Sequence, residues 1–340
     1  MMIASGKEIK EMCVGAGAAA CGVVRCEPVS CADWELFTRW RELGRHAGME
    51  YMERYDEVRR DPRLLLEGAR SMAVCLFDYS HPMPGYRLIA EYARGEDYHI
   101  AIRRRLQPVC DTLRDRYGVA TRICTDSAPL RERYWAVRAG LGFTGRNGQL
   151  IVPGRGMHFN IAILLLTCDL DHYDDKPPLT PTPSTLTPPL STLTPPPSTL
   201  HPLCGLCRKC VDACPGHALD GTGAVDARRC LSYLTIESRD PLPAGTRLCG
   251  QMFGCDICRR VCPHEPPAQP AAPASTSIAV TAQPAARAVA PSLPAMTDLT
   301  PEDWQTLPTN QLRRIIAATP LTRVPIPRLR YLASQMNISR

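Results

Sequence analysis

One run of cysteines constrains this chain more than any other feature. Residues 204–215 read CGLCRKCVDACP. Two residues separate each of the first three cysteines from the next, three residues separate the third from the fourth, and a proline follows. This is the bacterial-ferredoxin spacing, in which three thiolates hold one [4Fe–4S] cluster and the fourth reaches a second cluster. Residues 255–263, CDICRRVCP, repeat part of the pattern. Together the two segments predict a pair of [4Fe–4S] clusters.

The crossing pattern assigns the last cysteine of each run to the cluster of the other run. For the first cluster it gives Cys204, Cys207, Cys210 and Cys262. For the second it gives Cys214, Cys255 and Cys258. The second cluster is then one ligand short. In an ordinary two-cluster ferredoxin the first cysteine of the second run lies three residues before the position of Cys255, where this chain has Met252. Cys230 and Cys249 are the candidates for the missing ligand.

Two other uses of these cysteines fit less well. Disulfides of an oxidising compartment do not require paired CxxC spacings that end in Cys-Pro. Zinc ribbons use CxxC pairs, but not a triple CxxCxxC run. The cysteines outside this region show no ligand spacing, and we expect most of them to be buried apolar thiols. They are Cys13, Cys21, Cys26, Cys31, Cys75, Cys110, Cys124 and Cys168.

Residues 1–173 alternate apolar segments with helical patterns, which predicts an α/β domain whose sheet is covered by helices. The predicted strands are 22–25, 71–77, 121–125, 148–152 and 160–167. The predicted helices are 34–43, 100–117 and 130–139. Residues 204–265 then form a ferredoxin-like domain with two clusters. The predicted fold class is therefore α+β or α/β, with the cluster domain following the first domain.

Two segments interrupt this plan, and they account for much of the high content of 33 prolines. Residues 174–203 are rich in proline, threonine and serine, and residues 266–298 in alanine and proline. Such compositions do not bury enough apolar surface to fold and predict an insertion and a linker. Residues 299–340 form a short tail with predicted helices at 300–312 and 328–336, which we expect to pack on the rest.

Nothing in the sequence predicts a membrane protein. Residues 12–24 resemble the apolar core of a signal peptide, but Glu8 and Glu11 lie in the flank that should be basic, so we expect a helix, a glycine break and a strand. The apolar run at 161–166 is far too short to span a bilayer. We therefore expect a cytoplasmic protein without a membrane partner. The net charge of +6, mostly from arginine, permits an anionic partner such as RNA.

Several stretches resemble the epoxyqueuosine reductases, the iron–sulfur and cobalamin enzymes of tRNA queuosine synthesis. They are TDSAPLRERYWAVRAGLGFTGRNGQLI at 125–151, CGLCRKCVDACPGHAL at 204–219, DARRCLSYLTIE at 226–237, GCDICRRVCP at 254–263, YMERYDEVRRDPRLLLEGARS at 51–71 and YARGEDYH at 92–99. The likeness covers most of residues 5–170 and 203–265. It is specific, because two unrelated groups of motifs agree in their order along the chain.

The resemblance implies a base-off cobalamin in the N-terminal domain, reduced by the neighbouring clusters. The implied substrate is the epoxide on the cyclopentane ring of a modified guanine at the tRNA wobble position. The product is the alkene, and the epoxide oxygen leaves as water. An external low-potential electron donor and a monomeric enzyme are also expected.

Residue by residue, the resemblance places the proton donor on Asp126 and a corrinoid contact on Arg59. It assigns the eighth cluster ligand to Cys230 and leaves Cys249 spare. The implied ligands of the second cluster are then Cys214, Cys230, Cys255 and Cys258. Asp126 has a second possible role, since Asp-Ser-Ala-Pro before a helical pattern is also a good helix start. An acid here has to be protonated near neutral pH, which burial against an apolar corrin face provides.

Residues 140–145 formally match GxGxxG, with Gly142 and Gly145 as the second and third glycines. The motif follows a helical pattern and precedes a strand, which is the wrong order for a dinucleotide fold. We therefore predict no NAD site and expect this turn to approach the corrinoid. Asp97-Tyr98-His99 begins like a cobalt-ligating loop, but Ile102 stands where glycine follows in such loops. We expect His99 to be a surface residue of a helix.

Several arginines are candidates for phosphate contact, although a solvated basic face explains them equally well. They are Arg103, Arg104 and Arg105 on one helix, and Arg131, Arg133, Arg138 and Arg146, which are expected near the acid. Two other functions remain open from the residues alone. One is a different corrinoid iron–sulfur reductase of the reductive-dehalogenase kind. The other is a ferredoxin-like electron carrier, which has no need of a 170-residue α/β domain.

Overall fold

The computed structural model describes residues 3–80, 87–176, 202–266 and 295–336. Its strands are β1 (Ile3–Ala4), β2 (Ala20–Arg25), β3 (Ser71–Asp78), β4 (Thr121–Cys124), β5 (Phe143–Thr144), β6 (Leu150–Ile151), β7 (Phe159–Leu166) and β8 (Asp169–Leu170). Its α-helices in the N-terminal part are α1 (Gly6–Gly15), α2 (Cys31–Glu42), α3 (Asp56–Arg60), α4 (Tyr98–Tyr117) and α5 (Glu132–Arg138). The later helices are α6 (Lys209–Asp212), α7 (Leu231–Ile236), α8 (Ile257–Arg260), α9 (Pro301–Thr306), α10 (Thr309–Ile315) and α11 (Ile326–Gln335).

A four-stranded sheet in the order β2–β3–β7–β4 forms the centre of the N-terminal part. Every neighbouring pair in it is antiparallel, with Cys21 opposite Cys75 and Val74 opposite Ile163. The predicted alternation of strands and helices is confirmed. The strand directions of this central sheet are those of an α+β fold, and the parallel pair among the described strands is the separate two-stranded sheet of β1 and β8. The alternation of strands and helices does not determine whether neighbouring strands are parallel or antiparallel, because the connecting segments are long enough for both.

Helices cover both faces of this sheet, because β3 and β7 bury side chains on each side. On one face α1 and α4 pack through Ile9, Leu106 and Leu113. On the other face α5 packs through Tyr134 and Trp135. The expected helix, glycine break and strand near the start of the chain are confirmed by α1 and β2.

The C-terminal tail packs on the rest of the chain, as predicted. Trp304 of α9 and Leu329 of α11 are fully buried in a core that also contains Phe253 of the cluster region and Ile89 of the N-terminal part. The predicted helix at 300–312 is divided into α9 and α10, and the one predicted at 328–336 is α11, which begins two residues earlier. Most of the proline-rich insertion and of the alanine-rich linker, residues 177–201 and 267–294, lie outside the described residues.

A buried ion-pair network joins the cluster region to the N-terminal part. Arg259 is 7% exposed and contacts Glu91, His158 and Glu265, the last with Nη1 2.6 Å from Oε1. Burial opposes ionisation of Glu91, but the His158 hydrogen bond and the Arg259 charge outweigh it and lower its pKa to about 2. Because a buried charge is costly without its partners, this network fixes how the two regions meet.

No α-helix in the described ranges has the length and apolar character that a membrane span needs.

Candidate active site and cluster ligands

The cysteines of residues 204–262 form two neighbouring groups. Burial, followed by the charges of Cys262 and Cys204, raises the pKa of Cys210 to about 11. Burial, followed by the charges of other thiols that include Cys230 and Cys214, raises the pKa of Cys255 to about 12. Beyond burial, the charges of Cys204 and Cys207 raise the pKa of Cys262, whereas Cys258 is affected by Cys255, Cys230 and Cys214 and also by Cys210 of the first group. These neighbours agree with the two sets of four that the resemblance implied, and the ligand sets themselves stay a prediction.

The spacing within each set suits a cluster better than a single metal ion. Around one zinc ion, with Zn–S near 2.3 Å, thiolates lie about 4 Å apart. Within the described residues, no three of these eight sulfurs lie within 4.8 Å of one another. A cubane is wider than one ion, so its ligands are more widely spaced.

Cys249, the other candidate for the eighth ligand, lies apart from both sets. Its side chain is exposed, its φ is +50°, and its thiol donates to the Arg247 carbonyl at 3.5 Å. Cys230 immediately precedes α7, and its pKa is raised by burial and then by the charge of Cys214. Backbone N–H groups of Tyr233 and Ser232 point at its sulfur and partly offset this effect. The geometry thus favours Cys230 over Cys249.

The glycines of the 140–145 turn have a local structural reason to be glycine. A Cβ on Gly142 meets the Ile151 carbonyl oxygen at 2.4 Å, and one on Gly145 meets Ile151 Cδ1 at the same distance. The turn leads into the β5–β6 hairpin, whose Phe143 and Ile151 pack beside Cys204 and Cys262. The order of helix, turn and strand that excludes a dinucleotide site is confirmed. The predicted corrinoid contact of Gly142 and Gly145 stays a prediction.

Asp126 lies in a loop between β4 and α5, with φ of +51°, in the left-handed region that non-glycine residues rarely adopt. The helix begins six residues later, with Arg131 as its N-cap, so the capping role considered for Asp126 is wrong. The Asp126 backbone N–H donates instead to Oε1 of Glu132, in the first turn of α5. The Thr125 hydroxyl anchors the loop by donating to the Ile161 carbonyl at 3.1 Å.

Asp126 faces a pair of side chains from the start of α4. The Tyr98 hydroxyl donates to Asp126 Oδ2 at 2.8 Å, and His99 Nε2 lies 3.6 Å from the same oxygen. The other ring nitrogen of His99 lies 2.6 Å from Asp97 Oδ1. His99 is therefore held between two carboxylates, and the expectation of a plain surface histidine is wrong.

These contacts shift the pKa values of Asp126 and His99 in opposite directions. The His99 interaction, with help from Tyr98, lowers the pKa of Asp126, although burial opposes it. The interaction with Asp126 raises the pKa of His99. In the chain itself the Asp126 side chain is 52% exposed and has cationic and hydroxyl partners, so its pKa is not raised. That burial against a corrin face holds Asp126 protonated stays a prediction. The contact therefore favours a proton on His99 over one on Asp126.

Glu132 is a second proton carrier that the sequence analysis missed. Burial, and then the charge of Asp126, raises its pKa to about 8. Glu132 is therefore protonated at neutral pH, while its Oε1 still accepts the Asp126 N–H. Its place in the first turn of a helix made it resemble an ordinary helix-start residue.

The cleft around Asp126 draws on all three parts of the chain. Tyr51 comes from the N-terminal part, Glu237 from the cluster region and Arg323 from the tail. Burial, followed by the charge of Glu237, raises the pKa of Tyr51 to about 12, and Arg323 and Asp126 also act on it. Arg323 Nη2 lies 3.0 Å from Glu237 Oε2. No local signal in the sequence pointed to Arg323, since only the fold brings it here.

Arg59 lies at the edge of the same cleft. It is 5% exposed, and its Nη2 donates to the Tyr51 carbonyl at 2.8 Å. The guanidinium groups of Arg41, Arg59 and Arg131 surround the Phe37 ring, with centroid distances of 4.9, 5.6 and 5.2 Å. Some buried polar atoms of this region have no hydrogen-bond partner within the described residues. They are Thr38 Oγ1, Arg41 Nε, His46 Nδ1 and Arg59 Nε.

Not all of the arginines expected near the acid are there. Arg131 donates to the Asp33 carbonyl, Arg138 pairs with Glu27 at 2.9 Å, and Arg146 donates to the Gly205 carbonyl. Arg133 is close enough for its charge to act on Glu132. A groove of about 610 Å³ opens beside the acid loop instead. Its lining residues are His99, Ile100, Arg103, Arg104, Gln107 and Ser127.

Comparison with known proteins agrees with these features. A family model described as epoxyqueuosine reductase QueG matches residues 59–127, and one described as a 4Fe-4S double cluster binding domain matches residues 203–265. The epoxyqueuosine reductase of Leadbetterella byssophila is 35% identical over 273 residues, which cover 78% of this chain and 81% of that protein. The chain belongs to the epoxyqueuosine reductase family. The resemblance noted from the sequence is thereby confirmed.

Other family members match at similar levels. The epoxyqueuosine reductase of Cyclobacterium marinum is 36% identical over 239 residues, covering 66% of this chain and 67% of that protein. That of Synechococcus sp. strain CC9605 is 39% identical, covering 66% and 64%. The matched segments thus span between 64% and 81% of these three relatives.

The fold agrees with solved epoxyqueuosine reductases. A structure described with an epoxyqueuosine-modified tRNA-Tyr stem loop has a TM-score of 0.76 at 21% identity, covering 98% of this chain and 80% of that one. The Streptococcus thermophilus enzyme has a TM-score of 0.73 at 22% identity, with the same coverage. Membership of the epoxyqueuosine reductase family makes the chain an oxidoreductase with a region for two [4Fe–4S] clusters.

Proposed function

We propose that this chain reduces epoxyqueuosine to queuosine at the wobble position of tRNA. The observation that carries the proposal is Asp126, which faces His99, a group whose pKa is raised, in a cleft to which the cluster region contributes Glu237. The reaction takes two electrons and two protons, breaks both C–O bonds of the epoxide, and forms the C=C bond and water. We further infer an external low-potential donor and a monomeric enzyme in the cytoplasm.

The cofactors of this proposal are two [4Fe–4S] clusters and one base-off cobalamin. Cobalamin supplies, when bound, a cobalt centre that delivers electrons to the epoxide. The unpartnered Arg41 Nε and Arg59 Nε support its binding here, because these N–H groups can donate to the peripheral amide carbonyls of a corrinoid. Asp126, Gly142 and Gly145 remain further proposed contacts.

The chain supplies the protons. Negative charge builds on the epoxide oxygen as the C–O bond breaks, so an acid at hydrogen-bond distance lowers the barrier. His99 passes a proton to Asp126 through the contact between Nε2 and Oδ2, and Asp126 delivers it to the epoxide oxygen. Asp97 orients the His99 ring through Nδ1. Glu132, protonated at neutral pH, holds the second proton that the departing water needs.

The activity is tested by anaerobic reconstitution with iron, sulfide and cobalamin, followed by mass analysis of nucleosides from tRNA that carries epoxyqueuosine. We expect queuosine to replace epoxyqueuosine only when both cofactors are loaded. Full loading without any queuosine contradicts the proposal. A chain that takes up iron but no cobalamin is instead an electron carrier.

The pH profile tests the role of His99. A group whose pKa is raised keeps its proton below that pKa and loses it as the pH rises, so turnover should fall on the alkaline side. In His99→Gln the proton must come from Asp126 itself. Because the ordinary pKa of a carboxyl group is lower than that of an imidazole, the falling limb should move to lower pH. A merely structural role lowers the rate at every pH and leaves the limb in place. His172→Gln, 65% exposed, is the matched control and should keep the wild-type profile.

The groove beside the acid loop offers a contact for the tRNA backbone. Arg103 lines it, whereas Arg116 lies near the other end of α4 and pairs with Glu8 at 3.2 Å. We expect Arg103→Gln to weaken tRNA binding and to reduce the salt slope of log Kd by about 1. Arg116→Gln should change neither quantity. Filter binding at several salt concentrations measures both, and equal slopes for Arg103→Gln and wild type exclude this contact.

A further inference from the structure

Three buried cysteines that no cluster uses lie together in the core of the N-terminal part. Cys13 is on α1, Cys21 is on β2, and Cys75 is on β3. The Sγ atoms of all three lie within 4.8 Å of one another, and those of Cys21 and Cys75 are 3.6 Å apart. Among the described residues, this is the single group of three His, Cys, Asp or Glu side chains with so close a spacing.

The arrangement follows from the register of the sheet. Cys21 and Cys75 are directly opposite each other on antiparallel strands, so their side chains leave the same face of the sheet. α1 packs on that face and points Cys13 at the pair. Three sulfurs around one ion at a distance near 2.3 Å lie about 4 Å apart, which this group satisfies without a large movement of the backbone.

The three thiols differ in acidity, because hydrogen bonds with Cys13, together with burial, hold the pKa values of Cys21 and Cys75 well above the ordinary value. Hydrogen bonds from the Cys21 and Cys75 thiols hold the pKa of Cys13 well below its ordinary value. Cys13 and Cys75 are fully buried, but Cys21 is partly exposed, which leaves a path for an ion. Lys10 is near enough for its charge to favour the Cys21 thiolate. The Lys10 ammonium group also offsets the excess negative charge that three thiolates around a divalent cation carry.

We propose that Cys13, Cys21 and Cys75 form a site for one soft, thiophilic metal ion with three sulfur ligands. Thiolates select soft cations over hard ones, and a three-coordinate sulfur set suits ions such as Cd²⁺, Hg²⁺ and Cu⁺. Binding replaces the thiol protons by the metal and releases them to solvent. The bound ion links α1 to β2 and β3, so it stabilises the N-terminal part by binding the folded chain alone. This site is independent of the proposed reaction.

The test uses the full chain with both clusters loaded under anaerobic conditions and Cd²⁺ as the probe. Cd²⁺ is titrated against a competing chelator, and the iron content is measured in the same samples. We expect one Cd²⁺ per chain, three sulfur neighbours at the cadmium X-ray absorption edge and unchanged iron. Cys75→Ala should weaken Cd²⁺ binding by more than about 100-fold, beyond the 10–100-fold typical of losing an outer-shell partner.

Cys110→Ala is the matched control, because Cys110 is a buried thiol of the same core outside the group of three. It should bind Cd²⁺ like the wild type. If Cys75→Ala does not fold, Cys21→Ser at the partly exposed position replaces it in the test. This variant should weaken Cd²⁺ binding in the same way. Equal affinity in wild type, Cys21→Ser and Cys75→Ala overturns the proposal. So does Cd²⁺ uptake that occurs only with a matching loss of iron.

Discussion

Replacing Asp126 with asparagine is expected to slow epoxide reduction by roughly 10²–10⁴-fold, the usual contribution of a positioned acid. Asparagine keeps the size of the side chain and can accept the Tyr98 hydrogen bond, but it has no proton to give. Under the proposed mechanism the epoxide oxygen then develops charge without a donor. Single-turnover measurement with prereduced enzyme isolates this step from electron delivery.

Two controls separate lost chemistry from lost structure in this variant. Iron content should match the wild type, because the variant retains both sets of cysteines. Since Asp126 is also a proposed cobalamin contact, bound cobalamin is measured and the rates are compared per loaded enzyme. Asp169→Asn changes a carboxylate of similar exposure, 41% against 52%, that pairs with Arg70 outside the cleft. It should reduce epoxyqueuosine at the wild-type rate. If Asp126→Asn with bound cobalamin is equally fast, Asp126 is not the proton donor.

The cluster ligands could be predicted because their chemistry is local in sequence. A CxxCxxC run places three thiolates within reach of one cubane whatever the rest of the chain does. The strands β3 and β7 were also predictable, since each is a long apolar run with β-branched residues. Their antiparallel pairing was not, because neither run encodes the direction of its neighbour.

The proton-carrying groups, in contrast, could not be predicted from the sequence. His99 and Glu132 each resemble ordinary helix residues in the sequence, and their roles arise only where the Asp126 loop meets α4 and α5. The positive φ of Asp126 is equally invisible in the sequence, since Asp-Ser-Ala-Pro is a common helix start. Arg323 reaches the cleft from the tail across the whole fold. Sites assembled from distant segments depend on tertiary structure, which local patterns do not contain.

Replacing Cys230 with alanine is expected to remove the second cluster, so that iron falls from about eight toward about four atoms per chain. Cys230 is partly buried beside Cys214, and no other cysteine of the described chain stands ready to take its place in that set. Electrons from the donor then lose one of the two clusters on their route. Queuosine formation should be lost even when cobalamin still binds.

Cys249→Ala is the matched control for this variant, because Cys249 was the other candidate on spacing alone. Its thiol is exposed and contacts only the Arg247 carbonyl among the described hydrogen-bond partners. Full iron content and wild-type turnover are expected there. Iron and electron paramagnetic resonance measurements after anaerobic reconstitution compare the two variants directly. Normal iron in Cys230→Ala together with a deficit in Cys249→Ala reverses the assignment, and the second cluster would then be built on the 249–258 segment.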